Sequence, residues 1–421
     1  MFAAGPGLLL VAGLHAVVAG PVAGDGGGPA GAGPRMLGVF GDSMVLQHDG
    51  PVLHGCGAAP RAPIAALIAP GPGSSDNEVV RSVADQIGCF QLSLAARPIM
   101  TSASESVSVA VKVSTGDASS PFFARATNVL YGVQIVCGGQ SNMVHPLSYD
   151  YNATDQIAAA KLLPNLRLFQ VGRQWSNDGG TVLPLACNAN GTAPPIRGFG
   201  CDPVTGLPCA PHNVWRGAAQ EATQNGSAAA FSAVCYLTAQ ELMRTEIGVD
   251  AAVGLVEVDW GGSAQATWQT RAVAVAHGCP AVTDRTDGCP LTTTSGLSPI
   301  GGDNWACLYH GMVEPLTRSL RPMLALWYQG EADANDPPAA YQCQLESLVA
   351  EWRDAFNRTA MPFFVVQLAP YKDFDIIVGP FIAPFGAPPH PNTRHCVTWY
   401  ALLSARACDP MFAQSSHLLV S

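Results

Sequence analysis

The chain has 421 residues, of which 48% are apolar and only 12% charged, with a formal net charge of −10. That length accommodates two or three domains, each with its own core. The acidic balance excludes partners held through phosphates: neither a nucleic acid nor an anionic membrane surface matches it. Thirteen cysteines are many for a reducing compartment, and the odd count leaves at least one unpaired or intermolecular. Their spacings, such as Cys201 to Cys209 and Cys279 to Cys289, give no C-x-x-C zinc pattern. They read mainly as disulfide candidates, with a buried free thiol as the alternative for Cys137 and Cys235. No His/Asp/Glu cluster has ligand spacing, so neither a metal nor a cofactor is implied.

Residues 1–20 carry a signal-peptide pattern: Gly7 to Gly20 is apolar and ends in small residues. No later run reaches the roughly 18 apolar residues of a membrane span. Four N-x-[ST] sequons follow, at Asn152, Asn190, Asn225 and Asn357. With the leader and the cysteines they predict a secreted or lysosomal glycoprotein. Residues 21–35, rich in Gly, Pro and Ala, read as a disordered linker.

Residues 36–127 have the pattern of a β-sandwich domain. Val107, Val109, Val111 and Val113 alternate with Ser, Ala and Lys, a half-buried strand of period two. Ala65 to Ile68 and Phe90 to Leu94 behave similarly between Gly/Pro/Ser punctuation. Inside this region Val39-Phe40-Gly41-Asp42-Ser43 spells the strand-then-GDS opening of GDSL-type lipases, which would make Ser43 a nucleophile. The continuation Met44-Val45-Leu46-Gln47 is bulky where that opening turns into a helix, and β-rich sequence follows.

Residues 128–371 change to strand, glycine, helix. Val133 to Cys137 is a short buried strand closed by Gly138-Gly139-Gln140-Ser141-Asn142. Leu166 to Val171 is a second strand. The segment 179–212, with Cys187, Cys201 and Cys209, reads as a disulfide-tied loop at a site rim. Phe231 to Arg244 is helical, with Gly248 at its end. Ala251 to Val258 is a strand followed by the turn Trp260-Gly261-Gly262-Ser263. Leu324 to Tyr328 is another, followed by Gln329-Gly330-Glu331-Ala332-Asp333. Helix Leu345 to Phe356 and strand Phe363 to Leu368 complete a parallel α/β sheet.

Three glycine turns would therefore open on one edge of that sheet, where ligands bind in open α/β folds. They bring a serine beside free backbone amides, a turn of small residues, and an amide with a carboxylate. Acyl transfer needs a nucleophile, donors aimed at the developing oxyanion, and a base.

The stretches VLYGVQIVCGGQSNM, FSAVCYLTAQEL, VGLVEVDWGGSAQATW and LALWYQGEADAN resemble the blocks of the sialate O-acetylesterase family, an SGNH-hydrolase-type group of carbohydrate esterases. GDSMVLQ is similar to the D-M-V-L-Q opening of that family's N-terminal β-domain, which accounts for the GDS pattern at Ser43. The likeness runs from about Met36 to Tyr371. It implies an SGNH/flavodoxin-like three-layer parallel sheet behind an N-terminal β-sandwich. It also implies an acetyl-serine mechanism on an O-acetylated sugar or sialoglycan, without cofactor or metal.

Carried over, Ser141 is the nucleophile. Its own N–H, a glycine of the Trp260-Gly261-Gly262 turn (Gly262), and the side-chain amide of Gln329 are the oxyanion donors. Glu331 orients the base or a sugar hydroxyl, or else is a buried acid tied to backbone amides. Trp268 and Trp327 stack on a sugar face or pack in the core. The family's histidine comes late, in an Asp…Ile-His-Pro block. Here residues 372–421 form a divergent or truncated tail, in which Asp409 and His417 echo that block. His310, His390 and His395 are further candidates for the base. The alternatives are an acetylesterase acting on another polysaccharide and a glycan-binding relative without turnover. Nothing in the sequence bears on oligomeric state.

Overall fold

The computed structural model describes residues 33–70, 77–114, 120–172, 213–220, 222, 227–280, 305–334 and 336–368, together with the backbone of Thr393–Cys396. The strands are β1 (Arg35–Met36), β2 (Val45–Gln47), β3 (Val52–Cys56), β4 (Pro63–Ala69), β5 (Glu78–Val83), β6 (Phe90–Ser93), β7 (Val107–Val113), β8 (Phe122–Gly139), β9 (Leu166–Gln170), β10 (Trp215–Gly217), β11 (Val253–Asp259), β12 (Leu324–Tyr328), β13 (Phe363–Val366) and β14 (Thr393–Cys396). The α-helices are α1 (Ser141–Val144), α2 (Ala153–Ala159), α3 (Ser227–Ala230), α4 (Ala233–Leu242), α5 (Arg271–Ala276), α6 (Glu314–Thr317) and α7 (Pro338–Ala355).

The first part of the chain is mostly antiparallel, except that β2 runs parallel to β8. Strands β1, β3 and β6 form one small sheet, while β5, β4, β7 and the start of β8 form a second run. Inward residues of both, including Leu53, Phe90 and Leu92 on one side and Ile64, Ile68 and Val109 on the other, share one hydrophobic cluster. Cys56 and Cys89 are disulfide-bonded across this region.

Strand β8 belongs to both halves of the molecule. Its first residues pair antiparallel with β7, and its last pair in parallel with β11 and β12. The domain boundary expected at 127/128 therefore falls inside one continuous strand, at Asn128, which adopts φ 54°. Asparagine tolerates that left-handed conformation better than most residues. A single strand thus carries the chain from one sheet into the next.

The larger sheet has the order β10-β9-β11-β8-β12-β13-β14, parallel throughout except for β10. After β8 the chain moves to β9 on one side, and from β11 it crosses to β12 on the other. The carboxyl end of β8 is thus the point where the winding reverses, the position at which such sheets open a crevice. Both faces are covered, as the near-continuous apolar strands require. Val133, Ile135 and Cys137 of β8 cluster with Met143, Ile157 and Tyr236. Val136 and Trp327 fall with Leu345, Leu348 and Trp352 of α7 on the opposite face.

Cys137 and Cys235 follow the disulfide reading rather than the free-thiol alternative: they are bonded to each other, tying β8 to α4. Their 98-residue separation carries no local signal, and only the packing of α4 against the strand brings the two thiols together. Cys279 pairs with Cys343, tying the segment after α5 to α7. Cys187, Cys201, Cys209 and Cys289 lie outside the described residues, as do residues 1–32, the sequons at Asn190 and Asn225, and the whole insert 179–212. Asn152 and Asn357 are both exposed.

Candidate active site

Ser141 stands where the crevice opens. It is the first residue of α1, directly beyond the carboxyl end of β8, and its side chain is exposed. As leading residues of a helix, Ser141 and Asn142 have no carbonyl four positions back within it to accept their N–H groups. Two features hold the serine there. Gly139 has φ 149°, and a methyl group at its Cα would lie 2.1 Å from the carbonyl oxygen of Tyr328, so only glycine lets β8 and β12 close up at this level. The N–H of Gln140 then donates to that same carbonyl at 3.0 Å.

The second turn approaches from β11. The Trp260 N–H donates to Gly139 O at 3.0 Å, pinning the turn to the end of β8. A methyl at Gly261 would lie 3.9 Å from Ser141 Cα and 4.0 Å from its Cβ, so this backbone runs against the nucleophile candidate. Gly262 follows at φ 76°, exposed, with open space around it. Ser263 closes the turn by donating its hydroxyl to Trp260 O at 2.7 Å, and its Oγ accepts the Trp268 indole N–H at 2.9 Å.

The third turn follows β12, and Gln329 is its centre. Its carboxamide is buried, and Nε2 is directed to Ser263 O (3.0 Å), Gln140 Oε1 (3.2 Å) and the Asp333 carboxylate. Its Oε1 accepts the Tyr341 hydroxyl at 3.1 Å. The amide that the resemblance casts as an oxyanion donor thus points inward and joins all three turns. Gln140 is its counterpart: its Oε1 also accepts the N–H groups of Gly330 (3.3 Å) and Ala332 (3.1 Å). Asp333 adds a further tie by accepting the N–H of Gln265 at 3.0 Å. Gln140, Asp333 and Tyr341 have no role in the sequence reading, because amide and phenol side chains give no clue to their direction.

Glu331 is half-buried beside the serine, and its Oε1 accepts the side-chain amide of Asn142. Burial raises its carboxyl above the usual glutamate range, opposed by its own backbone and by the Asn142 amide. Of the two readings given for this residue, its partner is a side chain of the serine's own helix. Deeper in the sheet, Glu257 is pushed well up by burial and by the adjacent Asp259. Its oxygens accept Gln170 Nε2 (3.0 Å) and the Ser232 N–H at the start of α4 (2.9 Å).

Other candidates are placed elsewhere. Ser43 sits in a tight turn at φ 62°, its N–H on Thr127 O and its hydroxyl accepting Asn128 Nδ2 at 3.0 Å. Asp42 accepts the Thr127 N–H and hydroxyl at 2.7 and 2.8 Å. The GDS stretch therefore fastens the β2 turn to β8. Trp268 and Trp327 are fully buried and meet edge to face at 5.9 Å, which leaves no surface for a sugar. His310 bonds Glu314 through Nδ1 at 2.7 Å. His390, Asp409 and His417 lie outside the described residues, and for His395 only the backbone of β14 is described. Among the described residues no His/Cys/Asp/Glu group could hold a metal ion, and no helix is long and apolar enough to cross a membrane.

Comparison with known proteins follows this geometry. The family described as "Carbohydrate esterase, sialic acid-specific acetylesterase" matches residues 211–379, an interval that holds Gly262, Gln329 and Glu331. A solved carbohydrate acetylesterase from Xanthomonas citri superposes with a TM-score of 0.58 at 23% identity, covering 86% of this chain and 68% of that one. Over that interval the chain is thus similar to a carbohydrate esterase family, and it shares an α/β fold with one solved carbohydrate acetylesterase. Among curated proteins it is similar to sialate O-acetylesterases. The mouse protein of that name is 24% identical over 274 residues, and the human one 24% identical over 255. Those matches cover 59% of this chain and 45% and 42% of the relatives, so the chain spans less than half the length of either.

Proposed function

We propose that the protein is a serine esterase that removes O-acetyl groups from sugars, on an SGNH-like scaffold with an N-terminal β-sandwich. Sialic acid is the leading substrate, and the acetylated residue of another polysaccharide is the second. The single observation that carries this reading is the exposed hydroxyl of Ser141 at the winding reversal, with the Gly261 backbone packed against it.

In the proposed mechanism Ser141 Oγ attacks the acetyl carbonyl and the sugar oxygen leaves with a proton. Water then cleaves the acetyl-serine ester, giving acetate. The N–H groups of Ser141 and of the Gly261-Gly262 turn receive the oxyanion, a contribution of about 2.7–4 kcal/mol to the barrier for a single donor in comparable sites. Gln329 acts by holding these amides in register. The base is a histidine of the C-terminal segment, with His417 and Asp409 the sequence candidates, and Glu331 orients it. The disulfides and the leader pattern favour the secretory route.

Turnover of 4-nitrophenyl acetate and of an O-acetylated sialoside should fall by three or more orders of magnitude in Ser141→Ala. It should persist in Ser43→Ala. Equal activity of Ser141→Ala and the wild-type protein removes the proposal.

A further inference from the structure

Trp268 and Trp327, the two tryptophans that the sequence offers for stacking on a sugar, are buried. Yet the segment that follows Ser141 is rich in exposed rings. Among the described residues, Tyr149 (49% exposed) and Tyr151 (fully exposed) are the only Phe, Tyr or Trp side chains that reach the exposed class. Both lie within ten residues of the serine. His145, also exposed, packs edge to face on Tyr149 with ring centroids 5.8 Å apart.

Topology puts these rings at the serine's end of the sheet. β8 and β9 run parallel, and α2 makes the return journey between them. Residues 145–152, which precede α2, therefore sit above the carboxyl edge with Ser141. The loop is also held in place. Ala233 N–H donates to His145 O at 2.8 Å, Leu147 N–H donates to Phe231 O at 2.9 Å, and Pro146 bridges Ser232. Leu147 is fully buried beneath the segment. The clamped backbone thus presents the Tyr151 ring wholly to solvent and the Tyr149 ring about half, a large aromatic surface left outside the core.

We infer that Tyr149 and Tyr151 form the platform on which the acetylated sugar ring lies while its ester reaches Ser141. The inference rests on the esterase reading and extends it to how the sugar is held. A phenol ring offers a flat apolar face to sugar C–H groups and a hydroxyl for its rim. Such a surface takes a pyranose of any charge, so acetyl position relative to the platform, rather than an ion pair, sets which ester is presented. Both tyrosines are positioning residues and neither enters the chemistry.

Binding is the test, measured by calorimetry in the Ser141→Ala background so that turnover does not intrude. The probes are an O-acetylated sialoside and an acetylated xylo-oligosaccharide. Tyr149→Ala and Tyr151→Ala should each weaken the better-bound probe about three- to tenfold, as loss of one ring contact does. Tyr151→Phe should retain affinity, and Ile87→Ser, on an exposed turn of the N-terminal region, should leave it unchanged. Wild-type affinity in both alanine variants overturns the platform, as does failure of both probes to bind. Failure of the esterase reading is distinct, since it shows as wild-type aryl acetate hydrolysis surviving Ser141→Ala.

Discussion

Buried hydroxyl groups in this protein divide by whether they have work to do. Tyr341 donates to Gln329 O at 2.9 Å and shares Gln329 Oε1 at 3.1 Å, so its phenol anchors the residue that joins the three site turns. Tyr236 is also buried, but its hydroxyl has no hydrogen-bond partner among the described residues. Removing an oxygen that satisfies buried acceptors costs the desolvation of those acceptors, whereas removing an orphan costs little. Tyr341→Phe should therefore lose about 1–2 kcal/mol in urea denaturation and lower kcat on an aryl acetate. Tyr236→Phe should be neutral or slightly stabilising and leave kcat alone. The sequence motif GQSN with WYQGE marks where this site lies. It does not say that Gln329 faces inward, because the choice between oxyanion and staple depends on the carbonyl of Ser263, 66 residues away.

At the scale of elements, α7 is held to the start of α5 by one carboxylate. Glu351 accepts the Thr270 N–H at 2.8 Å and its hydroxyl at 2.6 Å. Its pKa is raised from 4.5 to about 7, mainly by burial, with the Thr270 bonds pulling the other way. The folded state therefore holds this proton more tightly than the unfolded chain. That contribution is complete below about pH 4.5 and is lost as pH rises through about 7, an effect on the order of 3 kcal/mol. Denaturation midpoints of the wild-type protein should thus fall across that window, and those of Glu351→Gln should change less. An unchanged slope in the variant would assign the dependence elsewhere.

The helix itself was only half legible. Leu345 to Phe356 carries the apolar stripe, but α7 starts at Pro338, seven residues earlier. Its opening, Pro338-Ala339-Ala340, has only small side chains, and Leu345 is its first large aliphatic residue. The strands of the parallel sheet were clear because burial on both faces makes them continuous apolar runs. By contrast β5, with alternate residues exposed along Glu78–Val83, and β3, which contains His54 and Gly55, lack that signature.

At the scale of the whole molecule, the described parts of the two sheet regions are tied together by several contacts. β8 runs through both sheets, Arg358 pairs with Asp49 at 2.8 Å, and Trp215 donates its indole N–H to Val39 O at 2.8 Å. Gly38 is wedged so closely that a methyl there would overlap Ser319 Oγ at 1.8 Å. The β-region thereby braces the end of the sheet remote from Ser141, and the sheet fixes where the three site turns emerge. The composition changes near residue 127, inside β8 (Phe122–Gly139). The chain changes sheets there without leaving a strand, a continuity that the shift in composition does not record.

Everything proposed for this scaffold depends on Ser141 being the reactive hydroxyl. The most direct measurement is to treat the protein with a fluorophosphonate, which phosphonylates an activated serine, and to map the adduct by peptide mass spectrometry. The account predicts a single adduct on the peptide containing Ser141, absent from Ser141→Ala. An adduct on the peptide containing Ser43, or a protein left unlabelled while it hydrolyses aryl acetate, would contradict it.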